Sequence, residues 1–274
     1  MPYRLWRIPA LVLLLLGGLA TVFLVFPLVR TTGREWLIAT WSRWLMAACG
    51  ARVAEHVAPG GESLAALRGR DGPGQGRLLL LNHVSWLDIF AVDGLAPASF
   101  AAKAEIASWP LVGTLVARTG TVFIERGRRH AVHGVIQAMG AKLESGLRAA
   151  VFPEGTTSDG HRLLAFHGNL IQSALNVGCP IVPVGLRYVD PDGEPSHAAM
   201  FIGDTTFLQS LWRITGHPRV NVELHVLPAI HPGAATTRQQ VAREAREAIA
   251  ARLGVPLDDS VPDTLKAARA ASRG

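Results

Sequence analysis

Asn82-His83-Val84-Ser85-Trp86-Leu87-Asp88 sets a histidine and an aspartate five residues apart, directly after an apolar run over 78–81. An imidazole that titrates near ~6.5 can take a proton from a hydroxyl at neutral pH, and a carboxylate on its other ring nitrogen fixes the tautomer and stabilises the imidazolium. A five-residue offset in a regular helix turns two side chains about 140° apart, so the pair can meet only if His83 lies in a turn ahead of the helix carrying Asp88. The pair alone has a plainer explanation: Asn82 or Ser85 caps a helix and His83 is merely exposed. Its chemistry therefore depends on what the rest of the chain supplies.

Three further segments have residue types suited to a ligand. The stretch 120–129 ends a β-prone run in Arg126, Arg128 and Arg129. A guanidinium fork there could hold a phosphate bidentately, and Arg126 lies closest to the strand end; Arg128 and Arg129 read better as solvated charge. Val151-Phe152-Pro153-Glu154-Gly155-Thr156-Thr157-Ser158 joins an apolar strand to a carboxylate, a glycine and three hydroxyls. Gly155 would let backbone approach a ligand, while Glu154 and Thr156 can hydrogen-bond hydroxyls or phosphate oxygens; alone, the segment could equally be a strand followed by a Ser/Thr turn. In Cys179-Pro180-Ile181-Val182-Pro183-Val184-Gly185-Leu186, Pro183 removes a ladder donor, which predicts an edge strand or a bulge.

The elements that must hold these segments follow from periodicity. Strands are predicted over 78–81, 99–102, 121–124, 149–152, 181–188 and 220–227, and helices over 131–147, 164–177 and 237–253, the last stopped by Gly254 and Pro256. This alternation predicts a single α/β domain with a mostly buried mixed or parallel sheet flanked by helices, the four segments lying where strands run out into loops. The chain divides into an N-terminal membrane anchor with an amphipathic helix (1–55), a catalytic domain (56–257) entered through a Gly-rich connection over 56–77, and a polar, Ala-rich tail (258–274). With 49% hydrophobic and 18% charged residues, a sizeable core is available.

Residues 8–29 carry no charged side chain and would be roughly 33 Å long as a helix, enough to cross a bilayer. The run is long for a signal peptide and has no convincing small-x-small cleavage site, so it reads as a retained anchor. Arginines flank both ends, which leaves orientation and the choice between spanning and re-entrant open. Trp36, Leu37, Trp41, Trp44, Leu45 and Met46 then recur at helical spacing, as in an interfacial amphipathic helix or a core-facing stripe. The net charge of +6 suits anionic headgroups or phosphorylated substrates; no zinc-knuckle spacing, aromatic RNA-binding motif or basic helix supports nucleic acid. Two cysteines do not make a disulfide framework, and a cytoplasm-facing domain is the economical inference. No His-x-x-x-His spacing indicates a metal, and Ser85 is not in a Gly-x-Ser-x-Gly elbow.

In this order and at this spacing, the four segments resemble the glycerolipid acyltransferase family, in particular the bacterial lysophosphatidate and related lysophospholipid acyltransferases. The similarity extends over about residues 78–190. It implies transfer of a fatty acyl chain from an acyl thioester, on coenzyme A or acyl carrier protein, to a lysolipid hydroxyl, most directly that of 1-acylglycerol-3-phosphate, at the inner membrane and without a cofactor or metal. Another lysophospholipid or a lyso-aminolipid is the alternative acceptor, and thioester hydrolysis the alternative reaction. The resemblance implies His83 as general base, Asp88 as its orienting partner, Arg126 as phosphate ligand, and Glu154, Gly155 and Thr156 in acceptor binding. Lys103, with Glu105 and Pro110, matches a further block whose role is open between phosphate binding and structure. Where members often carry Phe-Lys-x-Gly, this chain has Phe166-His167-Gly168-Asn169, which leaves the acceptor open and His167 either a titrating substitute or a loop histidine.

Overall fold

Leu78, Leu79, Leu80 and Leu81 are all fully buried, and their alternation divides the core. Leu78 and Leu80 point to a layer with Met139, Leu143, Ile171 and Val241, while Leu79 and Leu81 point to another with Met46, Leu87, Val92 and Ile214. Successive side chains of a strand face opposite ways, so an unbroken apolar run is what a sheet covered on both faces requires.

The computed structural model describes residues 2–68, 72, 74–124 and 129–260, with the backbone alone at 129–131. In chain order the elements are α1 (Pro2–Ala20), α2 (Thr31–Ala48), β1 (Ala51–Val57), α3 (Leu64–Leu67), β2 (Arg77–Leu81), α4 (Leu87–Asp93), β3 (Ser99–Lys103), α5 (Val112–Arg118) and β4 (Val122–Ile124). There follow α6 (Arg129–Glu144), β5 (Arg148–Val151), α7 (Gln172–Val177), β6 (Ile181–Val189), α8 (Phe207–Gly216), β7 (Val220–Val226) and α9 (Arg238–Leu253). The sheet order is β1-β7-β6-β2-β5-β3-β4. Strands β6, β2, β5, β3 and β4 run parallel, β7 is antiparallel to β6, and β1 is parallel to β7. The sheet is therefore mixed, and the carboxyl ends of β2, β5, β3 and β4 open on one edge, as the α/β reading requires.

Two expectations are corrected, and a third, open between an edge strand and a bulge at Pro183, is resolved as a bulge. β1 falls across the stretch assigned to anchor and connection, yet it pairs with β7 along its whole length, so the sheet begins before residue 56. Its mixed Ala-Arg-Val-Ala-Glu-His-Val pattern lacks the apolar run that marks the central strands. The helix expected over 164–177 is regular only in α7, because backbone turns occupy 168–171. β6 is an interior strand rather than an edge: Pro183 pairs with Leu80 of β2, and its carbonyl accepts from Leu227 N–H at 3.0 Å. Between the Ile181–Ile230 bridge and the Val184–Val226 pair the partner chain advances one residue further than β6 does. This bulge absorbs the donor that proline lacks.

α1 continues through a π-helical turn and a 3-10 turn to Leu28, and an 18-residue window of this stretch reaches a mean hydropathy of 2.6 with 17% of it buried. α2 folds back against it: Trp41 Nε1 donates to Leu14 O at 2.8 Å and Arg34 Nε to Phe26 O at 3.0 Å. Arg7 fastens the hairpin to the globular part by donating to the carbonyls of Thr215 in the last turn of α8 and of His217 and Pro218 just beyond it.

A second fastening is buried. Arg148, at the start of β5, is ion-paired with Glu35 of α2 and donates to Pro97 O at 3.0 Å and Leu67 O at 2.8 Å. One guanidinium fork thus joins the hairpin, the end of α3 and the α4–β3 loop to the sheet. Arg148→Lys keeps the charge but cannot aim three donors along these directions, leaving at least one buried carbonyl without a partner. Its expected cost is about 1–3 kcal/mol, read as a lower urea midpoint at unchanged m; an unchanged midpoint would show that the fork does not hold these segments together.

Candidate active site

The chain leaves β2 at Leu81 and makes an irregular turn before α4, so His83 sits ahead of the helix and Asp88 in its first turn. This local geometry lets residues five apart meet. His83 Nδ1 lies 2.7 Å from Asp88 Oδ2. The same oxygen accepts the Val84 and Ser85 N–H groups at 2.8 and 3.0 Å, the donors of the turn just ahead of α4. Asp88 is fully buried, whereas the His83 side chain is 20% exposed. A carboxylate only accepts, so His83 carries its proton on Nδ1 and presents Nε2 as the basic nitrogen.

The turn is held from three directions. Asn82 exchanges two hydrogen bonds with the Leu186 backbone, donating from Nδ2 at 2.8 Å and accepting at Oδ1 at 2.7 Å, which locks the end of β2 to β6. The His83 N–H donates to Glu154 Oε1 at 2.7 Å, and the His83 carbonyl accepts from Ser158 N–H at 2.8 Å. The imidazole stacks on Phe152 with ring centroids 3.9 Å apart and planes at 13°, and Phe152 in turn stacks on Phe100. The turn after β5 therefore grips the histidine by both sides of its backbone and by one ring face.

Glu154 does not reach toward an acceptor as the resemblance implies. It is 1% exposed, and its second oxygen accepts the Leu164 N–H at 3.1 Å, so both oxygens serve backbone donors. Gly155 is exposed with φ +70°, and a side chain there would meet only His167 at 3.7 Å. Its requirement for glycine is thus conformational rather than spatial. Thr156 is half-buried in the same turn. His167 is exposed beside Gly155, its N–H donating to Pro153 O at 2.8 Å, so the departing block still borders the turn. Lys103 is exposed at the carboxyl end of β3, paired in register with Ile124 at the end of β4. Glu105 and Pro110 are exposed beyond it. Arg126 and Arg128 lie outside the described residues.

Residues not singled out beforehand complete the site. Phe152 lay within a quoted block without an assigned task, and Asn82, considered there only as a helix cap, instead bonds to the Leu186 backbone of β6. Tyr188, at the far end of β6, donates to Asp88 Oδ1 at 2.6 Å from a buried position, and nothing in its local sequence marks it.

Burial pushes the Glu154 carboxyl up to about 7, with the nearby Asp88 charge adding to the rise and the His83 and Leu164 N–H groups and Arg246 opposing it. A carboxyl raised on folding contributes stability that is complete below its unfolded value and is lost as pH rises through the folded one. Asp93, pushed up to about 8 by burial, titrates with the same sign, so the test needs a matched variant. In Glu154→Gln the amide nitrogen must face one of two N–H donors, costing about 1–3 kcal/mol at low pH. The gap between wild type and variant should then narrow from pH 4.5 to pH 7. A gap independent of pH in thermal unfolding would contradict a raised Glu154.

The arrangement can remove a proton from a hydroxyl placed against Nε2 and hold the resulting imidazolium on a buried anion. Comparison with known proteins agrees with that chemistry. An acyltransferase family model matches residues 60–187. The lyso-ornithine lipid O-acyltransferase of Pseudomonas aeruginosa is 38% identical over 208 residues, 76% of this chain and 76% of that protein. The 1-acyl-sn-glycerol-3-phosphate acyltransferase of Neisseria gonorrhoeae is 39% identical over 179 residues, 61% of this chain and 68% of that one. The crystal structure of the 1-acyl-sn-glycerophosphate acyltransferase PlsC from Thermotoga maritima shares the fold, with a TM-score of 0.64 at 19% identity over 92% of this chain and 93% of that one. A His-Asp pair at the open edge of the sheet and an extended match to acyltransferases converge, and the chain belongs to the acyltransferase family.

Proposed function

We propose that the protein transfers a fatty acyl group from an acyl thioester, on coenzyme A or acyl carrier protein, to a lysolipid hydroxyl at a membrane surface. The observation that carries this reading is the 2.7 Å contact of His83 with buried Asp88, which leaves Nε2 turned away from the carboxylate and partly exposed. Nε2 takes the hydroxyl proton as the acceptor oxygen bonds to the thioester carbonyl carbon. The tetrahedral adduct collapses with cleavage of the carbon–sulfur bond, and the departing thiolate takes up the proton from the imidazolium, leaving ester, thiol and neutral histidine. Asp88 keeps its charge throughout. General base catalysis of this kind is worth about 10²–10⁴-fold.

The N-terminal hairpin supports the membrane part of the reading. Leu5, Leu13, Leu24 and Leu28 of the first arm, with Trp36 and Trp44 of α2, are exposed, a larger apolar surface than water favours on a soluble domain. Tryptophan at the flank of an apolar helix suits the headgroup boundary. The inner membrane with the catalytic domain on the cytoplasmic side is the setting in which acyl thioester donors are available.

The two bacterial relatives at nearly equal identity differ in acceptor, a lyso-ornithine lipid for one and 1-acylglycerol-3-phosphate for the other. The longer of these two matches and the replacement of the expected lysine by His167 favour a lyso-aminolipid as the second reading beside 1-acylglycerol-3-phosphate. Purified protein in mixed micelles, given an acyl thioester with each acceptor in turn and assayed by mass spectrometry, should form the diacyl product of one in preference to the other. Free fatty acid formed at the same rate with and without either acceptor would replace transfer by hydrolysis.

A further inference from the structure

We infer that Tyr188 is a positioning residue for the His83–Asp88 pair, its phenol fixing the carboxylate from the side opposite the imidazole and moderating its basicity. The inference rests on the acyl-transfer reading only for its kinetic measurement. Asp88 has two oxygens in different company: Oδ2 accepts His83 Nδ1–H and two backbone N–H groups, and Oδ1 accepts the Tyr188 hydroxyl at 2.6 Å. Without that hydroxyl, Oδ1 would face a closed interior, because Asp88 is fully buried and Tyr188 is 4% exposed.

The placement of the phenol is built into the sheet. Asn82 clamps the Leu186 backbone, and Tyr188 lies two residues on, hence on the same face of β6. The clamp that sets the start of the turn therefore also sets where the phenol meets Asp88. Burial, followed by the adjacent Asp88 charge, holds the phenol well above its usual range, so it remains a donor wherever the enzyme works. The other titratable groups facing this trio are Glu154 from the turn after β5 and Cys49 from the end of α2. Both are raised by burial, the thiol to about 12 and the carboxyl to about 7, so Glu154 is the neighbour that titrates within the working range.

A hydrogen bond to a carboxylate lowers its basicity. Removing it makes Asp88 hold the His83 proton more tightly, so the base becomes available only at higher pH. Tyr188→Phe, which keeps the ring, should move the acidic limb of kcat/KM upward by about 0.5–1 pH unit, with a loss of about 3–10-fold at pH values within the limb. The chain contains two tyrosines, so Tyr3→Phe protein grown on 3-fluorotyrosine carries the label at position 188 alone. Its more acidic phenol donates more strongly, and the limb should move downward. A purely structural tyrosine predicts lower stability in Tyr188→Phe and no opposed shifts.

The same order should appear in the imidazole titration of His83, followed by ring 15N shifts and assigned against His83→Gln. That measurement needs no substrate, so it stands even if no lysolipid is acylated. Midpoints rising in Tyr188→Phe and falling with fluorotyrosine support the inference, and if Tyr188→Phe does not fold, the fluorotyrosine arm decides it. Coincident midpoints in all folded proteins overturn it.

Discussion

His83→Ala is expected to lower kcat for acyl transfer by about 10²–10⁴-fold while leaving the fold in place. The size follows from what Nε2 supplies. Without it, the acceptor oxygen must attack either as a neutral hydroxyl or after losing its proton to water, and neither route has a base held on an oriented carboxylate. The fold should survive because the imidazole is partly exposed and stacks on Phe152, which keeps its contact with Phe100. Truncation opens a solvent-connected gap rather than a sealed cavity, and the backbone bonds of residue 83 to Glu154 and Ser158 need no side chain. The apparent KM for the lysolipid should change little, since loss of a group acting in the transition state appears in kcat. Steady-state kinetics beside a urea denaturation curve separate the effects. A variant that folds normally and retains more than a tenth of wild-type kcat would remove His83 from the mechanism.

Asp88→Asn should cost a similar 10²–10⁴-fold, for a different reason. The carboxylate accepts from His83 Nδ1, the Val84 and Ser85 N–H groups and the Tyr188 hydroxyl, and none of these contacts requires it to donate. An asparagine has one orientation that fits: its oxygen takes the three donors on the His83 side, and its amide donates to the Tyr188 oxygen. Shape and most hydrogen bonds are then kept, but the negative charge is gone, so nothing beside the imidazole compensates the proton it receives. Burial makes that charge count more, because little water is present to screen it. The reversed orientation would set an N–H against backbone donors, so a stability loss of up to about 1–3 kcal/mol accompanies the kinetic one. Full activity in a folded Asp88→Asn protein would mean that the imidazolium is stabilised from elsewhere.

The remaining site shows where local sequence stops being informative. His83 and Asp88 were legible because their encounter depends on a single turn, and a five-residue offset leaves only one way for them to meet. The central strands were legible for a similar reason: a sheet covered on both faces needs unbroken apolar runs, as in Leu78–Leu81. β1 escaped because its mixed polar pattern is stabilised by pairing with β7, a partner more than 150 residues away in the chain. Pro183 pointed to an edge or a bulge, and only the neighbouring strand could show that the bulge was enough to keep β6 inside the sheet.

Glu154 makes the same point at the site itself. Its position after a strand and before Gly155 suggested a carboxylate offered to a ligand, whereas packing turned it inward to serve the backbone of His83. A buried acceptor and an exposed one look alike in sequence, because the difference lies in which backbone donors the folded chain leaves without partners. By itself the sequence determined the α/β class, the apolar N-terminal run and the encounter of His83 with Asp88, all products of short-range spacing and periodicity. Tertiary structure decided which groups hold that pair: Glu154 reaches across 71 residues and Tyr188 across 100. Such partners are chosen by the order of strands in the sheet, β6 beside β2 beside β5, which brings their carboxyl ends together irrespective of the chain length between them.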